Sequence, residues 1–515
     1  MDEEAGFEKN PKLTNARRTR LMKTEETTMN IATNPARSSD AYQSARLLID
    51  GAWLENGDRK TQPLINPATE KAIGVVPHAT AQDLDRALEA AKRAFPLWRA
   101  TSPRERGRIL KRAAQLMHDR QEEIATLATL EMGKPIAEAR LETHFATEEM
   151  EWFAEEGRRT YGRVIPGRIG ETRFQVVKEP VGPTAGFSAW NFPVGNAARK
   201  MGSALAAGCT MIYKPGEEAP ASAAAVAQCL LDAGVPAGVI AVVYGVPDFI
   251  SRHLLASPII RKISFTGSVP VGQHLIRLAS ETLKRTTMEL GGHAPVVVFD
   301  DADQTAALDM SVQRKYRNGG QVCVSPTRFY VQDKSYDAFC AGFAERAAKI
   351  TVGDGLDPAT GMGPLVHGRR RDAIEALVQD ATSKGAKLLA GGHRINNEGF
   401  FYAPTVLADV PGDARIMSEE PFGPVAVLNR FSDFDDAVTK ANELPYGLAA
   451  YAFSNSHKTI AKLSDALEAG MVGINSFNIS MPETPFGGVK ASGHGSEVGI
   501  EGVDAYMVTK TVSIT

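Results

Sequence analysis

With 515 residues, 43% hydrophobic and 23% charged, the chain is an ordinary globular sequence long enough for two or more domains, which excludes collagen-like, disulfide-dense and disordered classes. Lys and Arg number 58 against 61 Asp and Glu, a net charge of -3, so the charge balance gives a nucleic-acid partner no support. Four scattered cysteines without a C-x-x-C pair, and no run of 18 apolar residues, argue against a disulfide framework, a zinc site and a membrane span, and predict a cytoplasmic protein.

Residues 1–44 are polar and aperiodic and read as a disordered leader; Asp2, Glu3, Glu4 and Glu8 disfavour a mitochondrial transit peptide. From Leu47 a short strand-like segment leads to the turn Asn66-Pro67. Leu84, Ala87, Leu88, Ala91 and Phe95 then recur at helical spacing. A second helix, carrying Ile109, Ala113, Leu116 and Met117, is expected to run to a stop at Gly133-Lys134-Pro135, so the first 150 residues read as mainly helical scaffold. Beyond Phe174, short β-branched runs at 210–213, 239–244, 262–265 and 296–299 alternate with Ala-rich helical stretches, the pattern of parallel strands with crossover helices. A second alternating series over 328–475 predicts a second α/β domain, with the boundary placed near Gly291-Gly292.

Several loops could carry chemistry. The run 263–268 ends a strand in Gly267-Ser268 and opens a helix, where free N–H groups favour a phosphate, although a Ser-capped helix is commonplace. Lys214 and Glu217 follow another strand end; Glu217 could accept from ribose hydroxyls and would repel a 2′-phosphate, favouring NAD over NADP, or the segment is a solvated turn. Cys323 follows the flexible pair Gly319-Gly320, a setting for an exposed nucleophilic thiolate, whereas Cys209, Cys229 and Cys340 sit in apolar contexts that suit buried structural thiols. Glu289 lies between apolar neighbours, where burial would raise its pKa and let it act as a general base. His293 has no motif partner and reads as structural. Neither H-E-x-x-H nor G-x-S-x-G occurs, which removes zinc-protease and serine-hydrolase readings.

In order along the chain, Trp190-Asn191-Phe192-Pro193, Lys214-Pro215, Phe265-Thr266-Gly267-Ser268, Glu289-Leu290-Gly291-Gly292, Gly320-Gln321-Val322-Cys323, Glu420-Pro421-Phe422-Gly423-Pro424 and Pro485-Phe486-Gly487-Gly488 resemble the aldehyde dehydrogenase superfamily over residues 45 to 515. The resemblance implies an α/β fold with a Rossmann-like NAD(P)-binding domain (45–161 and 181–291), a catalytic domain (292–491) and an oligomerisation element (162–180 and 502–515), and with it a homodimer or homotetramer. It implies attack by Cys323 on an aldehyde, an oxyanion held by Asn191 and the Cys323 N–H, and a thioester hydrolysed by Glu289-activated water. Lys200 and Glu497 would support proton movement. Trp190, Lys214, Glu217, Gly267, Ser268, Glu420 and Phe422 would hold the cofactor, NAD with NADP possible.

Within that superfamily the chain is similar to succinate-semialdehyde and α-ketoglutarate-semialdehyde dehydrogenases, whose matching residues imply that Arg199, Arg317 and Ser480 grip a distal substrate carboxylate; an interdomain ion pair is the alternative for each arginine. Ser325 stands where several succinate-semialdehyde enzymes have a second cysteine, so that local redox switch is not expected. Two rivals remain: transfer of the thioester to coenzyme A, which Glu289 opposes, and a non-catalytic relative, of which the intact Cys323, Asn191, Glu289 and Glu420 give no sign.

Overall fold

A computed structural model describes residue 42 and residues 44–515; the expected leader over 1–44 lies almost wholly outside them. The chain opens with two short antiparallel pairs, Leu47–Ile49 with Ala52–Leu54 and Thr61–Ile65 with Ala72–Pro77. The first helix, Ala81–Ala100, starts on a capping box in which Thr80 and Asp83 satisfy each other's backbone N–H. The long second helix expected to reach Gly133 is two helices, Pro103–Asp119 and Gln121–Met132, broken at Arg120. Arg120 ends one and begins the other with a non-helical backbone (φ -102°, ψ 15°), while the apolar period runs on across the joint. Gly133 closes the second in the left-handed region (φ 83°), a C-cap that glycine adopts without a Cβ penalty. The helix Ile136–Glu156 follows.

Two large sheets make up the α/β body. The first is eight-stranded, in the order 52–54, 47–49, 240–242, 211–214, 184–187, 262–267, 285–290 and 493–494, and its five central strands are parallel. All four residues of both Thr184–Phe187 and Met211–Lys214 are buried, as befits strands covered by helices on both faces. Chain order runs one way from Thr184–Phe187 through Met211–Lys214 to Ile240–Val242, and the other way through Lys262–Gly267 to Arg285–Leu290. A topological switch point therefore lies between Thr184–Phe187 and Lys262–Gly267, where open α/β sheets leave a ligand crevice at the strands' carboxyl ends.

The second sheet is seven-stranded, in the order 387–390, 405–408, 425–431, 326–332, 294–298, 449–453 and 471–474, and is parallel except at its first pair. Gly291-Gly292-His293 is the chain between Arg285–Leu290 of the first sheet and Ala294–Val298 of the second. A third, three-stranded antiparallel sheet joins Arg163–Pro166, Arg173–Pro180 and the C-terminal Met507–Ile514. Among the described residues no helix is long and apolar enough to cross a membrane.

Candidate active site

The loops that leave the two sheets line one cavity of about 540 Å³. Trp190 and Asn191 enter it after Thr184–Phe187, Gly267 and Ser268 at the end of Lys262–Gly267, Glu289 from Arg285–Leu290, and Cys323 ahead of Pro326–Gln332. Glu420, Phe422, Arg199, Arg317 and Ser480 complete the wall, so most of the expected site residues meet in one place. Lys200, Lys214 and Glu217 stand outside it.

Cys323 is held by an unusual run of backbone. Asn318, Gly319 and Gly320 are all left-handed (φ 52°, 60° and 72°), and a Cβ on Gly320 would come within 2.1 Å of the Gly423 carbonyl oxygen. The turn expected to be flexible is thus tightly specified. The sulfur is half-buried, and burial together with the negative charges of Glu420 and Glu289 pushes its pKa up to about 12, while Arg199 and the Val324 N–H pull it down. Cys323 therefore rests as a thiol, a correction to the expected exposed thiolate, and it needs a base. Cys209, Cys229 and Cys340 are buried, as their sequence contexts suggest.

Glu289, which lines the same cavity, is the candidate for that base. Neither of its buried carboxylate oxygens has a hydrogen-bond partner, and burial, reinforced by Glu497, raises its pKa well above the ordinary carboxylate range. Behind it lies a buried relay: Lys200 Nζ donates to Glu497 Oε1 (2.5 Å) and to Ser264 Oγ (3.0 Å), and Ser264 donates to the same carboxylate (2.8 Å). His293 bonds Thr327 Oγ1 and the Ile416 carbonyl, and burial depresses its pKa to about 3, so it is a neutral structural histidine.

Asn191 is fixed by several neighbours: its side-chain Nδ2 donates to the Gln321 carbonyl (3.1 Å), and its backbone carbonyl accepts from Lys134 Nζ (2.9 Å) and Asn318 Nδ2 (3.0 Å). Lys134 in turn forms a buried ion pair with Glu142, whose other oxygen accepts from Val194 and Gly195 N–H at 2.8 and 3.0 Å. Sequence reasoning took Lys134 only as part of a helix stop and did not single out Glu142.

Arg199 departs from its expected role. Its guanidinium is paired with Glu149 (Nε to Oε2 3.2 Å, with a second, shorter contact) and lies 4.8 Å above the Phe486 ring, so two of its five N–H donors are spent on an internal ion pair. Arg317 stacks on Phe192 at 5.2 Å, and its buried Nε has no partner.

The other end of the cavity has the features of a dinucleotide crevice. Ser268 is the N-cap of Val269–Ser280, but its hydroxyl makes no capping bond, leaving it and the helix N–H groups free. Thr266 Oγ1 is buried without a partner, and just outside the cavity Glu217 Oε1 pairs with Lys214 Nζ at 2.5 Å. Glu420 accepts from Gly292 N–H (3.2 Å), and burial raises its pKa to about 7. A Cβ on Gly291 would sit 2.3 Å from Glu420 Oε2, and one on Gly292 would sit 3.0 Å from the Cys323 carbonyl oxygen, so only glycines let the two sites approach this closely. Trp190 and Phe422 meet edge to face at 5.7 Å. Unpartnered buried polar atoms at a switch point, beside a free helix N-terminus, suit a nicotinamide dinucleotide.

Residues 53–512 match the model of the aldehyde dehydrogenase family. The chain is 46% identical over 473 residues to a 4-(hydroxymethyl)benzenesulfonate dehydrogenase of Comamonas testosteroni, covering 92% of this chain and 98% of that protein. It is 43% identical over 467 residues to an NADP-dependent succinate-semialdehyde dehydrogenase of Escherichia coli, covering 91% and 97%. The crystal structure of succinate-semialdehyde dehydrogenase from Burkholderia pseudomallei superposes with a TM-score of 0.90 at 42% identity, covering 91% of this chain and 98% of that one.

Proposed function

The chain belongs to the aldehyde dehydrogenase family and is an NAD(P)-dependent oxidoreductase; from that premise we propose that its substrate is a semialdehyde with an anionic far end, succinate semialdehyde foremost, oxidised to the dicarboxylate. The observation that carries this reading is Arg317: a guanidinium with an unpartnered buried Nε, lining the same cavity as Cys323 and Ser480. A charged N–H left buried without a partner is costly, and a carboxylate on the substrate would offset that cost. α-Ketoglutarate semialdehyde has the same charged end and is the alternative; the relative that acts on a benzenesulfonate extends the class to sulfonates.

In this reading Glu289 takes the proton of Cys323, and the sulfur bonds to the aldehyde carbon. The Asn191 amide, held by the Gln321 carbonyl while Lys134 and Asn318 fix its backbone, steadies the oxyanion. Bound NAD(P)+ supplies the acceptor for the hydride that leaves that carbon. Thr266, Ser268, Glu217 and Lys214 would hold its adenosine and phosphates, and Trp190, Gly267, Glu420 and Phe422 its nicotinamide half. Glu289 must first give up the Cys323 proton, towards the Lys200–Ser264–Glu497 cluster or solvent; ionised again, it accepts a proton from water as the water oxygen bonds to the thioester carbon, and the carbon–sulfur bond breaks to leave the Cys323 thiolate. The positive charge of Arg199, which lowers the pKa of both Cys323 and Glu289, favours their ionised forms even though Glu149 occupies two of its donors.

The test is NAD(P)H formation with succinate semialdehyde, 2,5-dioxopentanoate, glutarate semialdehyde and an uncharged aldehyde such as hexanal. The anionic aldehydes should lead in kcat/KM. Arg317→Ala should cut that preference by about 10- to 150-fold, the worth of a charge-assisted bond. Equal rates on charged and uncharged aldehydes would refute the assignment.

A further inference from the structure

The helix Gln304–Tyr316 presents a second guanidinium one turn before Arg317. Arg314 is half-buried and lines the same cavity, and its Nη2 donates to Asn478 Oδ1 on the loop that also carries Ser480. Among the described residues neither Arg314 nor Arg317 lies in an ion pair. Glu138, whose buried carboxylate feels Arg317, spends one oxygen on the Asn318 N–H (2.8 Å). Each guanidinium is thus left facing the other's charge, and burial and Arg317 together lower the pKa of Arg314. Like charges that share one cavity wall, neither of them in an ion pair, suit an anion.

One guanidinium fork satisfies both oxygens of a planar carboxylate. A second guanidinium is then left only the outward lone pairs of those same two oxygens. It does match the third oxygen of a tetrahedral head group.

We propose that Arg314 is a specificity-determining residue which, with Arg317, forms a two-guanidinium clamp for a sulfonate at the far end of the aldehyde substrate. This rests on the reading above that the far end is anionic. The apolar walls contributed by Phe145, Phe192 and Phe477 hold the carbon skeleton between the clamp and Cys323.

The experiment compares kcat/KM for 3-sulfopropanal, succinate semialdehyde and butanal in the wild type, Arg314→Gln and Arg314→Lys, each value taken as a ratio to butanal so that general damage to the fold cancels. The wild type should oxidise 3-sulfopropanal in preference to butanal. Arg314→Gln should lower the sulfonate ratio by about 10-fold or more and the carboxylate ratio by less, with Arg314→Lys between it and wild type. A sulfonate ratio unmoved by Arg314→Gln, or both anions losing the same factor, would overturn the clamp. Should the wild type prefer succinate semialdehyde yet neglect the sulfonate, the clamp alone fails. No preference for either anion brings down the semialdehyde reading with it.

Discussion

A thiol whose pKa is pushed up to about 12 cannot be a nucleophile at neutral pH without a partner that removes its proton, and Glu289 is the partner the cavity offers. Because burial raises the Glu289 pKa, the ionised base becomes scarcer as pH falls through that raised value, so turnover should fall steeply on the acid side. Glu289→Gln should lower steady-state kcat by about 10²- to 10⁴-fold, flatten that acid limb, and slow the first burst of NAD(P)H in stopped flow along with it. A variant with the wild-type pH profile would contradict the role. The sequence made Glu289 readable because its own neighbours bury it. The ion pair of Arg199 was legible only as an alternative: Glu149, which holds it, lies 50 positions away on another helix, and no local pattern announces such a pair.

The elements were legible wherever a period or a stop signal was local. The apolar spacing around Leu84 and the β-branched runs found their helix and strands, whereas the break at Arg120 has no glycine or proline to mark it, and the apolar face continues through it. The Gly319-Gly320 turn shows how a correct landmark can carry the wrong property. Its glycines signify not looseness but a left-handed path packed against Gly423, which aims the cysteine loop. Gly320→Ala should therefore lower stability by about 1–3 kcal/mol in urea unfolding, and should reduce kcat more than that loss of folded protein explains. Wild-type kinetics in this variant would show that the path does not position the sulfur.

For the molecule as a whole, the two sheets followed from alternation along the chain, but the pairing of Met507–Ile514 with Arg173–Pro180 joins segments more than 300 residues apart and was suggested only by the family resemblance. The edge of that third sheet, Arg163–Pro166, is exposed and carries Val164 and Ile165. An apolar unpaired edge of this kind invites a second subunit. Replacing Val164 and Ile165 together by Lys should shift the mass measured by light scattering after gel filtration from an oligomer towards a monomer. An unchanged mass would place the subunit contact elsewhere.

Cys323 is mounted on a loop feeding the second sheet and Glu289 on a strand of the first, and the chain joins the two frameworks through Gly291-Gly292-His293 and again between Ile474 and Gly493. Attack and hydrolysis are therefore geared to one narrow seam. A slight play between the halves, too small to register in any melting curve, is enough to pull nucleophile and base out of step, so this enzyme should fall silent on warming before it comes apart.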